Sequence, residues 1–229
     1  MIRILIVVSV IMCLTSGICG AAPSFLSTTG NIMTPNDSLL GAGEFSANYD
    51  YFDIDDVTTT VFGANVGVTQ NLELGIARID KDAAGVDAET ILNAKYLVLP
   101  ETVTRPSLLV GVVDAGGELD AKDDAGLYVV IGKNLTPAAT GLTGEPVEPL
   151  RGYLGIGTGV YDGMFAGLDC TISQRVKIIA EFLNGFGEKN DSIFNAGLRV
   201  AITDSLRGDI ALIDGGDIGF GISYTKVGL

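Results

Sequence analysis

The sequence predicts an all-β chain: a single antiparallel transmembrane β-barrel of about twelve strands in a meander. Three observations predict it. Apolar and polar residues alternate with period 2 about a dozen times after residue 22, and no apolar run there approaches the length of a helical membrane span. Glycine reaches 31 of 229 residues, about twice its ordinary share of ~7%. The face opposite the apolar one carries those glycines together with charges of both signs, as a barrel lumen would.

Taken in order, residues 1–21 read as an export signal. Arg3 supplies a positive start, Ile4 to Leu14 an apolar stretch, and Ser16, Gly17, Gly20 and Ala21 a small-residue exit with cleavage expected after Ala21. The apolar stretch is shorter than the roughly 17–25 residues a spanning helix needs. Cleavage removes Cys13 and Cys19 and leaves Cys170 alone, so no intrachain disulfide is expected. Residues 22–42 read as an N-terminal extension, and 43–229 as one barrel domain.

Strands are expected to begin near Gly43, Thr60, Leu72, Thr90, Ser107, Gly126, Leu150, Met164, Val176, Ile193, Leu206 and Ile218. Phe45, Ala47, Tyr49 and Tyr51 oppose Glu44, Ser46, Asn48 and Asp50. Later, Phe194, Ala196, Leu198 and Val200 oppose Asn195, Gly197 and Arg199, and Ile218, Phe220, Ile222 and Tyr224 alternate with Gly219, Gly221, Ser223 and Thr225. One turn pattern recurs three times, as Val68-Thr69-Gln70-Asn71-Leu72, Ile172-Ser173-Gln174-Arg175-Val176 and Ile202-Thr203-Asp204-Ser205-Leu206. Each keeps an apolar residue on both sides of a short polar turn, so the apolar face continues through the hairpin. Thr136 to Pro149, with its Pro and Gly, reads as a longer turn.

Alternation leaves open whether the apolar face meets a core or lipid. Lipid is favoured because the other face carries Gly63, Gly67, Gly75, Gly111, Gly155, Gly167, Gly197, Gly219 and Gly221, where a water-facing sheet would use Thr, Lys and Glu. The same face holds Asn65, Glu73, Asn93, Lys95, Asp169, Lys177, Glu181, Asn195, Arg199, Arg207 and Asp209, expected to line a polar lumen and to pair across it. Twelve strands also satisfy the even count of bacterial outer-membrane barrels. The alternative is a secreted soluble β-sandwich or barrel that binds a ligand and displays those charges to solvent.

With the N-terminus on the periplasmic side, the outer connections 53–57, 80–89, 114–124, 158–163, 184–191 and 214–217 sum to a charge of −14, against −2 for the opposite edge. Asp53, Asp55, Asp56, Asp120, Asp123, Asp124, Asp214 and Asp217 form this acidic rim. Such stretches invite divalent cations such as calcium, but none has EF-hand spacing, and solvated loop charge is the simpler reading.

Several functions are excluded or disfavoured. The absence of His removes Ser-His-Asp hydrolysis and His-ligated zinc, and a net charge of −14 argues against nucleic acid. Gly155-Ile156-Gly157-Thr158-Gly159 has no helix pattern after it to offer phosphate an N-terminus. Cys170 lies on the apolar face with no base near it in sequence. No catalytic residue and no cofactor is expected, and the partner expected is outer-membrane lipid.

The segments Gly43-Glu44-Phe45-Ser46, Thr59 to Val68, Asn71-Leu72-Glu73-Leu74-Gly75, Leu92-Asn93-Ala94-Lys95-Tyr96 and Tyr161 to Gly167 resemble the YjbH-like group of outer-membrane β-barrels. The likeness runs thinly over residues 40–226. It implies a barrel at the cell surface associated with exopolysaccharide, working with polysaccharide-export components. Barrels of this kind commonly end in an aromatic residue, whereas this chain ends in Leu229. The function expected is a small pore or surface structural protein of the outer membrane.

Overall fold

A computed structural model describes residues 21–54, 57–83, 85–119, 124–144, 147–186 and 191–226. Residues 1–20 of the expected signal, together with Asp55, Asp56, Asp120, Asp123 and Leu229, lie outside the described residues.

Twelve strands form one closed antiparallel barrel: β1 (Phe45–Ile54), β2 (Val57–Gly67), β3 (Leu72–Lys81), β4 (Glu89–Leu99), β5 (Ser107–Val113), β6 (Gly126–Asn134), β7 (Leu150–Gly157), β8 (Gly163–Ser173), β9 (Val176–Phe186), β10 (Asp191–Ala201), β11 (Leu206–Ile213) and β12 (Asp217–Lys226). Each pairs with its sequence neighbours. The ring closes between β1 and β12, with Phe45 opposite Lys226 and Phe52 opposite Gly219. Closure removes both sheet edges, which lets a sheet stand in hydrocarbon without orphaned backbone groups.

The rim where β1 begins and β12 ends is called here the near rim, and the opposite one the far rim. The repeated near-rim turns have one chemical cause. The hydroxyl of Thr69 accepts the Asn71 N–H at 3.1 Å, that of Ser173 accepts from Val176 at 3.1 Å, and that of Thr203 accepts from Leu206 at 2.9 Å. A Ser or Thr at the same position of each repeat thus caps the turn that its own backbone makes.

The outward face is apolar along most of each strand. Phe62, Leu92, Leu154, Ile156, Met164, Phe194, Leu198, Ile210, Phe220, Ile222 and Tyr224 all stand exposed. An exposed apolar surface on every strand is what hydrocarbon accepts and water does not, so the barrel is transmembrane.

One element differs from the sequence expectation. Thr136 to Pro149 is not wholly a turn, because Thr136–Thr143 forms a short helix, α1, on the near rim. Pro137 is tolerated in its first turn, and Gly144, with φ 76°, caps its C-terminus in the left-handed conformation. The helix buries no residue, so no apolar stripe marked it in the sequence.

Candidate functional site

The lumen is filled by the chain's own N-terminal extension. Residues 22–37 are buried without interruption, and Met33 and Leu40 are wholly inaccessible. The segment folds on itself: isolated bridges join Pro23 to Thr29 and Gly30 to Pro35. Its backbone closes turns through Phe25 N–H to Ile32 O at 2.7 Å and Asn31 N–H to Thr34 O at 2.8 Å. It then leaves through the near rim, where Gly43 N–H bonds Gly67 O at 2.8 Å, and continues into β1.

Strand register divides the inner wall into two tiers. Toward the near rim the inward positions are polar and charged; toward the far rim they are mostly apolar, with Phe52, Val61, Ile79, Ile91, Val113, Tyr128, Phe165, Leu183, Ile193 and Ile213 buried in one cluster. Phe25, Leu26, Ile32 and Met33 of the segment belong to that cluster, and Phe25 stacks on Phe52 at 5.5 Å. Below the far rim, Tyr161 contacts Tyr128 edge-on at 5.8 Å and Phe165 at 5.4 Å. Its hydroxyl donates to Met33 O at 2.8 Å. To the polar lumen read from sequence the structure adds an apolar tier toward the far rim. The period-2 pattern marks which residues point inward, but a buried apolar end inside the barrel looks like any other strand position.

The polar tier toward the near rim holds the segment by its backbone. Glu181 on β9 accepts the N–H groups of Met33 at 2.7 Å and Thr34 at 3.1 Å, the Thr34 hydroxyl at 2.7 Å, and the Asn195 amide on β10 at 2.8 Å. Glu73 on β3 accepts the Thr29 hydroxyl at 2.9 Å and Leu40 N–H at 2.9 Å. Lys95, opposite Glu73 in register, donates to Thr29 O at 2.6 Å and Ser38 O at 2.7 Å. Arg199 on β10 donates to Gly30 O, Pro23 O and Asn31 O, each at 2.9 Å, and pairs with Asp209 on β11 at 2.8 Å. Asn65 donates to Ser27 O at 2.6 Å. Charges withdrawn from water need such partners, and here the segment's peptide groups supply most of them.

The remaining inward groups bond along the wall. Lys177 pairs with Asp169 at 3.1 Å, Asp169 also accepts from the Tyr153 hydroxyl, Arg207 donates to the Thr225 hydroxyl at 2.9 Å, and Asn93 accepts Asp114 N–H at 3.2 Å. Ion pairs across the lumen among Lys177, Glu181, Arg199, Arg207 and Asp209 on neighbouring strands were the expectation, and Arg199 with Asp209 is such a pair. The structure shows pairing between adjacent strands, with the opposite wall reached through the segment.

The inward glycines acquire a specific reason. A Cβ at Gly63 would meet Ser27, at Gly67 the Gly41 carbonyl, at Gly167 the Asn31 amide and at Gly219 the Phe25 ring, whereas at Gly197 it would meet the Ile210 carbonyl before Ile32 and at Gly221 the Asp50 carboxylate before the Phe25 ring. Gly75, Gly111 and Gly155 instead receive the wall side chains Asn65, Tyr128 and Phe165. Gly63, Gly67, Gly167 and Gly219 thus leave space that the N-terminal extension occupies.

At the near mouth, Asp37 of the segment meets Arg151 on β7 and the Ser107 hydroxyl on β5. Arg151 reaches on to Glu101 in the loop before β5 at 2.7 Å, and Glu101 also pairs with Lys133 at 3.3 Å. Burial acts to raise the Glu101 carboxyl, but hydrogen bonds from Asn134 N–H and the Arg151 guanidinium outweigh it and hold the group below its ordinary value. Asp37, Asp50 and Arg151 were absent from the lumen set read from sequence. Asp37 lies in a stretch without periodicity, and no pattern in it announces an inward path.

On the far rim, Asp53 is half-buried and accepts from the Thr58 hydroxyl at 2.7 Å, Asp217 is half-buried, and Asp124 and Asp214 are exposed. Among the described residues no group of three or more His, Cys, Asp or Glu is placed to hold a metal ion. Gly155 and Gly157 belong to β7 and Cys170 to the outward face of β8.

A closed twelve-stranded barrel with an apolar exterior and a charged inner tier defines the class: a transmembrane β-barrel. Scans against protein-family models and curated proteins find no match. Among solved structures, the chain is similar to the KdgM porin, at 12% identity and TM-score 0.55 over 78% of this chain and 98% of that one. It is similar to the NanC porin at 8% identity and TM-score 0.50, over 81% of this chain and all of the other. Identity this low is a likeness of fold.

Proposed function

We propose that this chain is a non-catalytic outer-membrane β-barrel that stands closed at rest, its lumen sealed by its own residues 22–40. The observation that carries the reading is the buried segment, whose peptide groups are bonded by Glu73, Lys95, Glu181 and Arg199. A signal-like leader, an apolar exterior and a porin-like fold support export to the outer membrane, with the near rim periplasmic and the acidic far rim outside. The resemblance to the YjbH-like group supports a place at the cell surface alongside exopolysaccharide assembly. A filled lumen favours a structural role there over passage of a polymer through the resting barrel.

Fractionation tests the location. Recovery in the outer-membrane pellet with heat-modifiable gel mobility is expected, and a freely soluble periplasmic protein would overturn it. Planar bilayers test the resting state, where the intact protein is expected to show little steady conductance; a constant open current would refute the seal. Loss of surface polysaccharide on deletion of the gene tests the polysaccharide association.

A further inference from the structure

We propose that residues 22–36 are an exchangeable plug, and that their withdrawal through the near mouth turns the closed barrel into an ion-conducting pore. The proposal rests on the closed-barrel reading and adds a second state to it.

Four observations carry it. First, the segment is not part of the barrel's ladder. Its backbone-to-backbone hydrogen bonds, among the described residues, run within the segment, as from Ser24 N–H to Thr28 O at 2.8 Å and Gly30 N–H to Ala22 O at 2.9 Å. All twelve strand pairings, including β1 with β12, are complete without it. Second, among the described residues the wall's hydrogen bonds to it come from side chains, which can turn to other partners. Register already sets Glu73 opposite Lys95, Arg199 opposite Asp209, and Asn195 opposite Glu181 on neighbouring strands. Each charge therefore keeps an opposite or hydrogen-bonding neighbour when the segment leaves and water enters, which avoids the unpaired buried charge that makes such separations costly.

Third, a Cβ at Gly63, Gly167 or Gly219 would meet the segment first, at Ser27, Asn31 and Phe25, so its departure opens space beside those three wall positions. Fourth, the way out has one direction. Val160, Tyr161 and Leu119 are buried below the far rim, whereas the segment is continuous with β1 at the near rim, where Asp37 is clasped by Arg151 and Ser107. Residues 37–44 are the tether on which it would swing out.

The first test keeps the full chain. With Cys170 replaced by Ser, Asn31→Cys is combined with Gly167→Cys, since the Asn31 side chain already lies where a Cβ on Gly167 would project and a disulfide needs two β-carbons within a few ångströms. Mass spectrometry of the linked peptides verifies the bond. In planar bilayers the reduced protein should open under applied voltage, the oxidised protein should stay closed, and reductant should restore openings in the same record. A barrel deleted for residues 22–36 should conduct steadily, and a synthetic peptide of those residues added to the periplasmic side should block it. Equal opening of oxidised and reduced protein would overturn the proposal. So would a deletion barrel that is heat-modifiable yet silent, or a conducting deletion barrel whose disulfide-free parent never opens, which would make the segment a fixed seal. Outer-membrane recovery is read separately by fractionation, so failure of the gate and failure of the location are distinguishable.

Discussion

Glu181 on β9 and Met33 in the lumen segment, 148 residues apart in sequence, are joined by a 2.7 Å hydrogen bond from the Met33 amide to the Glu181 carboxylate. The same carboxylate takes Thr34 twice and Asn195 once. A wall glutamate thus serves as the cap that a helix or sheet would otherwise give those amides.

Glu181→Ala leaves those donors without an acceptor and opens a small void. The expected cost is about 3 kcal/mol or more, in line with removal of one partner from a buried charged network, and Glu181→Gln should cost less because one amide oxygen remains. Thermal or urea unfolding in detergent measures both. Equal stability of the Ala variant and the parent would mean that the segment is not held there.

Phe25→Ala removes the ring that stacks on Phe52 and fills the space over Gly219 and Gly221. Burial of a Phe is worth about 3–5 kcal/mol by truncation, and part of that loss should appear as faster proteolysis of residues 22–40 while the barrel stays intact. The converse variant, Gly219→Leu, places a side chain where the ring sits and should expel the segment. Limited proteolysis with N-terminal sequencing reads both.

Outward orientation is tested by charge. Leu198, Ile210 and Ile222 are exposed on the outer wall, so Arg at any of them should cost about 2–4 kcal/mol near mid-bilayer and less toward strand ends. Folding into lipid vesicles at graded urea gives the values. The same cost at every depth would count against lipid contact.

Once the segment is out, the acidic far rim should govern ion choice. Six connections summing to −14 concentrate cations within a Debye length of about 8 Å at physiological ionic strength. Reversal potentials of the deletion barrel in a KCl gradient should show modest cation selectivity that falls as salt rises. Replacing Asp120, Asp123 and Asp124 by Asn should reduce it, whereas anion selectivity would reverse the assignment of the rims.

The near-mouth clasp should loosen in acid. Glu101 is held below its ordinary value by Asn134, Arg151 and Lys133, so its folded pKa lies under its unfolded one of about 4.3. A depressed carboxyl stabilises the folded state above the unfolded pKa and loses that contribution as pH falls through the folded pKa. Exposure of the loop to water keeps the effect small. Glu101→Gln should flatten the acid limb of a stability-against-pH curve, and an unchanged limb would remove Glu101 from the clasp.

Much of this architecture was legible in the chain itself, because strand alternation is local. Twelve period-2 runs, a Ser or Thr at the same place in three turns, and charges confined to one face needed no knowledge of distant contacts, and the observed strands begin within three residues of the expected positions. The inward direction of Glu73, Lys95, Glu181 and Arg199 follows from the same alternation, since a residue's face in a strand is fixed by its parity. What those groups bind does not follow. Residues 22–40 have no period, and their partners lie up to 176 positions away, as between Pro23 and Arg199. Only closure of the barrel brings that segment under Glu181, sets Phe25 over Gly219, and decides that some of the glycines which read as wall curvature, such as Gly63, Gly167 and Gly219, leave space that the chain's own N-terminal run fills.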